Sequence, residues 1–354
     1  MTTTEMKTKI AIVLTIVALG LCCLLFKQEP RTKLYVYTWA DYIDPDLVER
    51  FENENSCRVV IDTFDSNEAM YAKLKAGALG YDIITPTEYI MTQLVEADLL
   101  EKIDLGKVSN VVANLDQRFK TRWTLEWNVP YCFSCTGILW RKDKVPKDLT
   151  FLDWRELFDD RLRGRICIMD DIRELIGLGL KMNGQSVNST DPIEIDRAAD
   201  LAKKWKGCAA KMDNEAYRTG VPSGEFIAAM SYNSDAIMLL AAEGGDAYGY
   251  SVPTNGTISS MDVLCVMKTS GNKELAHKFI DMLYVKENAV ANSEYNGAPM
   301  PIKGLYDALS DKYKAIPLMN ITDEFKSKCE DIEDVGSVQE VYSKAWDKVK
   351  SEKK

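Results

Sequence analysis

From Lys33 onward the chain alternates short apolar runs, typical of strands, with amphipathic segments, typical of helices. In the first part, the pattern predicts strands over 34–37, 58–61 and 83–85 and helices over 67–76 and 87–94. Asp44-Pro45 marks another helix start, with an N-cap followed by proline at the first helical position. Repeated βα units of this kind predict a mainly parallel sheet with helices on both faces.

The alternation breaks around residues 128–134 and then resumes. The second part is predicted to contain strands over 137–140, 165–169 and 261–267, and helices over 153–158, 172–181, 193–205, 234–242, 272–283, 286–293 and 337–350. No repeat or long linker separates the two parts. Two α/β lobes that share the chain discontinuously fit this pattern better than two domains joined in series.

Composition excludes several classes of protein. The chain is 46% apolar and 28% charged, as expected of a globular protein with a sizeable core. Its net charge of −10 argues against a nucleic-acid-binding surface, so no nucleic-acid partner is expected. His277 is the single histidine, which excludes a metal centre built from several histidines.

The N-terminus predicts export. Lys7 and Lys9 precede residues 10–25, which carry no charge and are followed by Lys27. This run is short for a membrane span, which needs about 18 or more apolar residues. Cys22 ends a segment similar to a bacterial lipobox and is the lipidation candidate, although Leu21 replaces the usual small residue. A lipoprotein, an uncleaved anchor and plain secretion stay open, and each exports the chain.

Seven cysteines follow Cys23, an odd number for an exported protein, so at least one is predicted to stay outside any internal disulfide. Cys132 and Cys135 form a single CxxC, but no second CxxC and no nearby histidine supports a zinc or redox site. Cys167 and Cys265 lie in apolar runs and are predicted to be buried as small hydrophobic residues.

Aromatic and acidic residues follow several predicted strands. They are Trp39, Asp41 and Tyr42 after the first strand, Thr87 and Tyr89 after the third, and Asp171 and Glu174 after strand 165–169. Ligands bind outside the carboxyl ends of the strands in open parallel sheets. Ring faces attract ammonium groups, and carboxylates accept charge-assisted hydrogen bonds from them. This chemistry suits a linear organic cation.

Other interpretations stay open at this point. Asp171 and Glu174 have the spacing of a helix capping box, and also that of an acid/base pair in a hydrolase. The aromatic residues could pack between sheet and helices, and Asp262 could be a turn residue at a strand edge. Tyrosines with nearby carboxylates could also hold a hard metal cation.

The chain resembles the periplasmic spermidine/putrescine-binding proteins of polyamine ABC transporters over nearly its whole length after Lys33. The motifs that carry this resemblance are residues 37–43 (Tyr-Thr-Trp-Ala-Asp-Tyr-Ile), 66–75 (Ser-Asn-Glu-Ala-Met-Tyr-Ala-Lys-Leu-Lys), 80–89, 170–174 (Asp-Asp-Ile-Arg-Glu), 230–234, Met261-Asp262 and 334–336 (Asp-Val-Gly). The chain departs from the family in having Tyr232 in place of a tryptophan, and Ser260 and Ala298 in place of aromatic residues.

The resemblance implies an α/β, two-lobed periplasmic-binding-protein fold of type II, with a hinged cleft between the lobes. Residues 1–30 would be an export signal or a lipid or membrane anchor. Residues 31–135 plus about 260–310 would form lobe 1, and residues 136–259 plus about 311–354 would form lobe 2.

The implied function is that of a periplasmic receptor, tethered to a membrane through its N-terminus, which delivers polyamines to ABC permease subunits. No enzymatic activity and no cofactor are expected. By resemblance, Trp39, Tyr42, Tyr89 and Tyr232 enclose the ligand methylenes. Asp171 and Glu174 hold one amine, Asp262 holds another, and Thr87 and Asp41 are secondary contacts. Putrescine and spermidine are not distinguished.

Overall fold

The computed structural model describes residues 32–351, so the predictions for residues 1–30, Cys22 included, lie outside the described residues. The strands are β1 Thr32–Thr38, β2 Cys57–Thr63, β3 Ile83–Ile84, β4 Leu100–Glu101, β5 Val129–Arg141, β6 Ile166–Ile168, β7 Lys211–Met212, β8 Ala228–Tyr232, β9 Tyr248–Ser251, β10 Thr257–Met267 and β11 Cys329–Asp331. Within this range, no helix combines the length and the apolar character needed to cross a bilayer.

Helices connect most of these strands. They are α1 Pro45–Asn55, α2 Asn67–Lys75, α3 Met91–Glu96, α4 Ser109–Asn114, α5 Ile172–Met182, α6 Pro192–Lys206, α7 Ala216–Ser223, α8 Asn233–Ala241, α9 Lys273–Leu283, α10 Lys286–Asn296, α11 Leu305–Ala308, α12 Asp311–Lys314, α13 Asp323–Lys326 and α14 Gln339–Lys350. Short 3-10 turns include Glu88–Ile90 and Trp154–Phe158.

The strands follow one another in the order β2-β1-β3-β10-β5-β8-β6-β7. Strand β1 is parallel to both β2 and β3, and β6 is parallel to both β7 and β8. The two long central strands, β5 and β10, run antiparallel to each other and to the neighbouring strands β8 and β3. The α/β class is therefore confirmed, with antiparallel strands inserted between two parallel groups.

Strands β5 and β10 join the two halves of the molecule. Cys135 of β5 pairs with Ser259 of β10, whereas the next residue, Thr136, pairs with Tyr232 of β8. Strand β10 in turn pairs with β3 from Cys265 onward. Each long strand thus changes partner part of the way along its length. The residue boundaries of the two lobes remain a prediction.

Each half has a buried core. In the first half, Leu34 and Val36 of β1 are fully buried, and the rings of Phe51 and Phe279 meet edge to face at 4.9 Å. In the other half, helix α14 packs against α5 and α6. Burying one large apolar side chain contributes about 1.5–3 kcal/mol, so these cores hold the strand ends in fixed positions.

Several local predictions are wrong. The pattern is not interrupted at 128–134, because residues 129–134 begin the 13-residue strand β5. Its residues Val129–Leu139 are all buried and so do not alternate. The spacing of Asp65 and Glu68 predicts a capping box with Asp65 as the cap of helix α2. Ser66 is the cap instead, and its side chain accepts a hydrogen bond from the Ala69 amide. The segment predicted as one helix over 87–94 is a 3-10 turn followed by α3. Cys167 and Cys265 are buried, as predicted.

Candidate functional site

The strand ends converge on one cavity of about 420 Å³. Its wall contains all nine residues singled out in the sequence: Trp39, Asp41, Tyr42, Thr87, Tyr89, Asp171, Glu174, Tyr232 and Asp262. Ser260 also lines the cavity, at a position where the related family has an aromatic ring. The volume lies within the range of about 300–1,000 Å³ typical of small-molecule sites.

Asp262 lies on β10 and is held against the turn that follows β3. The backbone of Asp262 bridges to Thr87, and the Val263 amide donates to the Pro86 carbonyl oxygen at 2.8 Å. The Thr87 hydroxyl donates to Oδ1 at 2.6 Å, and the Tyr42 hydroxyl donates to Oδ2. Both carboxylate oxygens therefore accept from neutral hydroxyls. Asp262 is not a simple turn residue.

Burial raises the pKa of Asp262 to about 6, although the two hydroxyl donors oppose this shift. The carboxyl group is therefore mostly ionised at pH 7. Thr87 is in turn held by Asn67, whose amide nitrogen donates to the Thr87 hydroxyl oxygen at 3.0 Å. This chain of contacts fixes a negative charge inside the cavity, and no Lys or Arg between residues 32 and 351 forms an ion pair with Asp262.

Asp171 and Glu174 lie at the start of α5. Asp171 caps the helix by accepting from the amides of Arg173 at 2.8 Å and Glu174 at 3.0 Å, so the capping interpretation is confirmed for Asp171. The Glu174 carboxyl instead accepts from the Thr136 hydroxyl at 2.6 Å. Thr136 lies on β5, where this strand changes partner.

Burial, together with the nearby charge of Asp171, raises the pKa of Glu174 to about 8. Burial also raises the pKa of Asp171, against the lowering effect of the helix amides that it caps. With a pKa of about 8, the Glu174 carboxyl mostly holds its proton at pH 7 until a cation approaches it. The two acids therefore form a site that can gain a negative charge when a cation binds.

Glu68, an acid of the motif at 66–75, does not line the cavity itself but contacts its wall through Tyr89. The Tyr89 hydroxyl donates to its Oε1 at 3.0 Å. Burial raises the pKa of Glu68, with a further contribution from Asp171. The guanidinium of Arg173 lies 5.5 Å from the Tyr89 ring centroid. Glu68 lies in the N-terminal turn of α2, and this position was the sequence signal that could have identified it.

Aromatic rings form the remaining walls. The Trp39 ring packs against Phe64 with centroids 4.4 Å apart, and Tyr42 meets Tyr131 edge to face at 5.4 Å. Tyr232 ends β8. Burial raises its pKa, and the charges of Glu174, Asp171 and Asp262 raise it further. Tyr232 therefore lies among the three carboxyl groups.

Asp41 lies in the wall, but its carboxylate is paired. Its Oδ2 is 3.2 Å from Nη2 of Arg218, a residue of α7. Arg218 also pairs with Glu215 and Asp235. Sequence reasoning missed Arg218 and Asp235. Asp235 lies in the first turn of α8, three residues after the end of β8, so recognition of that strand would have marked it as a residue near a strand end.

The wall is strongly acidic. It contains seven carboxyl groups, Asp41, Asp65, Asp171, Glu174, Glu215, Asp235 and Asp262, but only the two guanidinium groups of Arg173 and Arg218. Across residues 32–351, no group of three or more His, Cys, Asp and Glu side chains is arranged to hold a metal ion. Carboxylates beside aromatic faces match an organic cation.

The fold consists of two α/β parts joined by the long strands β5 and β10, with a ligand-sized cavity at the strand ends. This arrangement is typical of a solute-binding receptor. The chain belongs to the bacterial extracellular solute-binding protein family, whose model matches residues 46–321.

Named relatives give the comparison more detail. The chain is 31% identical over 334 residues to a putrescine/cadaverine-binding protein of Pseudomonas aeruginosa, covering 90% of this chain and 93% of the relative. It is 30% identical over 328 residues to the spermidine/putrescine-binding periplasmic protein of Escherichia coli. This match covers 91% of this chain and 93% of the relative. The resemblance stated from the motifs is confirmed.

Solved structures are also similar. A putative spermidine/putrescine ABC transporter protein from Listeria monocytogenes superposes with a TM-score of 0.84 at 28% identity, covering 90% of this chain and 99% of that one. The Tp0655 (TpPotD) lipoprotein of Treponema pallidum superposes with a TM-score of 0.80 at 28% identity, with the same coverage. Both neighbours confirm the fold.

Proposed function

We propose that this protein is an extracytoplasmic receptor that binds a polyamine, putrescine or spermidine, in the cavity and delivers it to an ABC permease. The observation that carries the proposal is the convergence of Asp171, Glu174 and Asp262 on one aromatic-walled cavity, in which Glu174 and Asp262 are buried. These acids come from distant parts of the chain. The names of the relatives support the same ligand class.

Each part of the wall would have a separate role. Asp171 and Glu174 would accept hydrogen bonds from one ammonium group, and Asp262 would accept from another. The rings of Trp39 and Tyr232 would cover the methylene groups between them. Each cation–ring contact contributes about 0.5–2 kcal/mol in a dry site, and micromolar affinity needs about 8 kcal/mol, so several contacts must act together.

Two predicted contacts would act indirectly. The Thr87 hydroxyl already donates to Asp262, so Thr87 would orient this carboxylate toward the ligand. Asp41 is paired with Arg218, so its contribution would pass through that guanidinium. Neither residue needs to contact an ammonium group to affect binding.

The ligand would also drive closure. Asp262 lies on the same side of the cavity as Thr87, whereas Glu174 begins a helix that packs in the other half of the molecule. A diamine that contacts both sides binds the closed form better and therefore shifts the population toward closure. The closed form would be the one that docks on the permease.

The place of action would be the periplasm. The family to which the chain belongs is extracellular, and the E. coli relative is named a periplasmic protein. We propose that residues 1–30 export the chain and that lipidation at Cys22, or the retained apolar segment, tethers it to the membrane. Tethering would keep the receptor near its permease.

Calorimetric titration of the purified protein with putrescine and with spermidine tests the proposal. At least one amine should bind, and Asp262→Asn should weaken this binding strongly. Asp246→Asn is a matched control, because Asp246 is an exposed carboxylate outside the cavity, and it should bind like the wild type. Absence of binding heat and of thermal stabilisation with both amines would refute the proposal.

A further inference from the structure

Arg218 is one of the two guanidinium groups in the acidic wall of the cavity. Its guanidinium forms three ion pairs, with N–O distances of 2.7 Å to Glu215, 3.2 Å to Asp41 and 3.3 Å to Asp235. All four side chains belong to the cavity wall. Arg218 therefore occupies a place where a ligand ammonium could otherwise pair with carboxylates.

Asp235 is the acid of this group that is shielded from solvent. Its side chain is 21% exposed, whereas those of Asp41 and Glu215 are each 66% exposed. Arg218 Nε pairs with Oδ1 of Asp235, and the Tyr217 hydroxyl donates to Oδ2. Both oxygens of the shielded carboxylate are therefore in use.

The other acids of the cavity are different. Within residues 32–351, no Lys or Arg side chain forms an ion pair with Asp171, Glu174 or Asp262, whose side-chain contacts are hydroxyl groups and backbone amides. Arg173 donates from Nη1 to the carbonyl oxygen of Glu333 rather than to these carboxylates. Asp65, the remaining acid of the wall, is exposed to solvent. Two shielded acidic positions are thus left for ligand ammonium groups: Asp262, and the pair at the start of α5.

We infer that Arg218 makes this receptor selective for diamines over triamines. This inference rests on the proposed function. Two ammonium groups satisfy the two free acidic positions. A third ammonium group would have to approach the Arg218 guanidinium, which repels it. The same guanidinium is paired with Asp235, the shielded carboxylate that the third ammonium would need as a partner. Asp41 and Glu215, the exposed acids beside Arg218, stay hydrated, so pairing with them would offset little of this repulsion.

The test compares putrescine, a diamine, with spermidine, a triamine, by calorimetry. The wild type should bind putrescine more tightly. In Arg218→Ala, Oδ1 of Asp235 loses its guanidinium partner and the repulsion is removed, so the ratio of the spermidine Kd to the putrescine Kd should fall about tenfold (~1.4 kcal/mol). Arg218→Lys keeps the positive charge and should preserve most of the diamine preference.

The outcomes separate the two proposals. Binding of neither amine by the wild type would overturn the proposed function and this inference with it. Binding of both amines with an unchanged Kd ratio in Arg218→Ala, or a wild type that prefers spermidine, would overturn only the selectivity. Arg218→Gln replaces the alanine variant if thermal denaturation shows that the latter is unfolded, and the same fall in the ratio is expected.

Discussion

Two carboxyl groups of the cavity should respond differently to pH when each is replaced by its amide. Asp262→Asn and Glu174→Gln each remove an acid that would be negatively charged beside a bound ammonium group, and both leave the donating hydroxyls, Thr87 and Thr136, in place. Truncating one partner of a buried, hydrogen-bonded charge pair costs about 2–5 kcal/mol. At its lower limit this cost weakens binding about 30-fold.

The two pKa values determine how much of this loss is observed at a given pH. For a pKa of about 8, the ionised fraction of Glu174 in the empty protein rises roughly eightfold between pH 7 and pH 8.5. For a pKa of about 6, the ionised fraction of Asp262 changes only by about a tenth over the same interval. An un-ionised acid must release its proton before it can pair with an ammonium group, and this reduces affinity.

Titration of putrescine into the wild type and both variants at pH 7 and pH 8.5 measures the effect. The ratio of the Glu174→Gln Kd to the wild-type Kd should rise roughly eightfold from the lower pH to the higher. The corresponding ratio for Asp262→Asn should stay constant to within about twofold. Because every comparison is made at one pH, protonation of the amine itself cancels. An unchanged ratio for Glu174→Gln would refute the reasoning.

Three further predictions follow from the same groups. At pH 7, cation binding should release about one proton, mainly from Glu174, so the binding enthalpy should vary with the ionisation enthalpy of the buffer; a constant enthalpy would contradict this. In the empty protein, the raised pKa of Glu174 means that the folded state keeps a proton that the unfolded state loses between about pH 4.5 and about pH 8. Over this interval the unfolding free energy of the wild type, measured by urea titration, should fall relative to that of Glu174→Gln. Parallel pH profiles for the two proteins would contradict this. Putrescine should make the wild type more compact in small-angle scattering, with or without EDTA, and should leave the Trp39→Ala/Asp262→Asn variant unchanged. Loss of putrescine binding in the presence of EDTA would favour a metal site instead.

Much of the site could be predicted because its residues follow strands. Trp39, Thr87 and Asp171 come directly after or shortly after apolar runs, and parallel strands bring such positions to one edge of a sheet. The spacing of Asp171 and Glu174 correctly predicted the helix start at α5. Strand β8 was not predicted, and the acid that follows it, Asp235, was missed for that reason.

The sequence by itself determined local features and kinship: where helices begin, which runs are apolar enough to be buried, and which family the motifs match. Only the tertiary structure decided the electrostatic state of the cavity. The Tyr42 hydroxyl meets the Asp262 carboxylate across 220 positions of sequence, and Arg218 meets Asp41 across 177. A carboxyl group's pKa depends on its burial and on its nearest donors and charges, and at such separations only the folded chain brings them together.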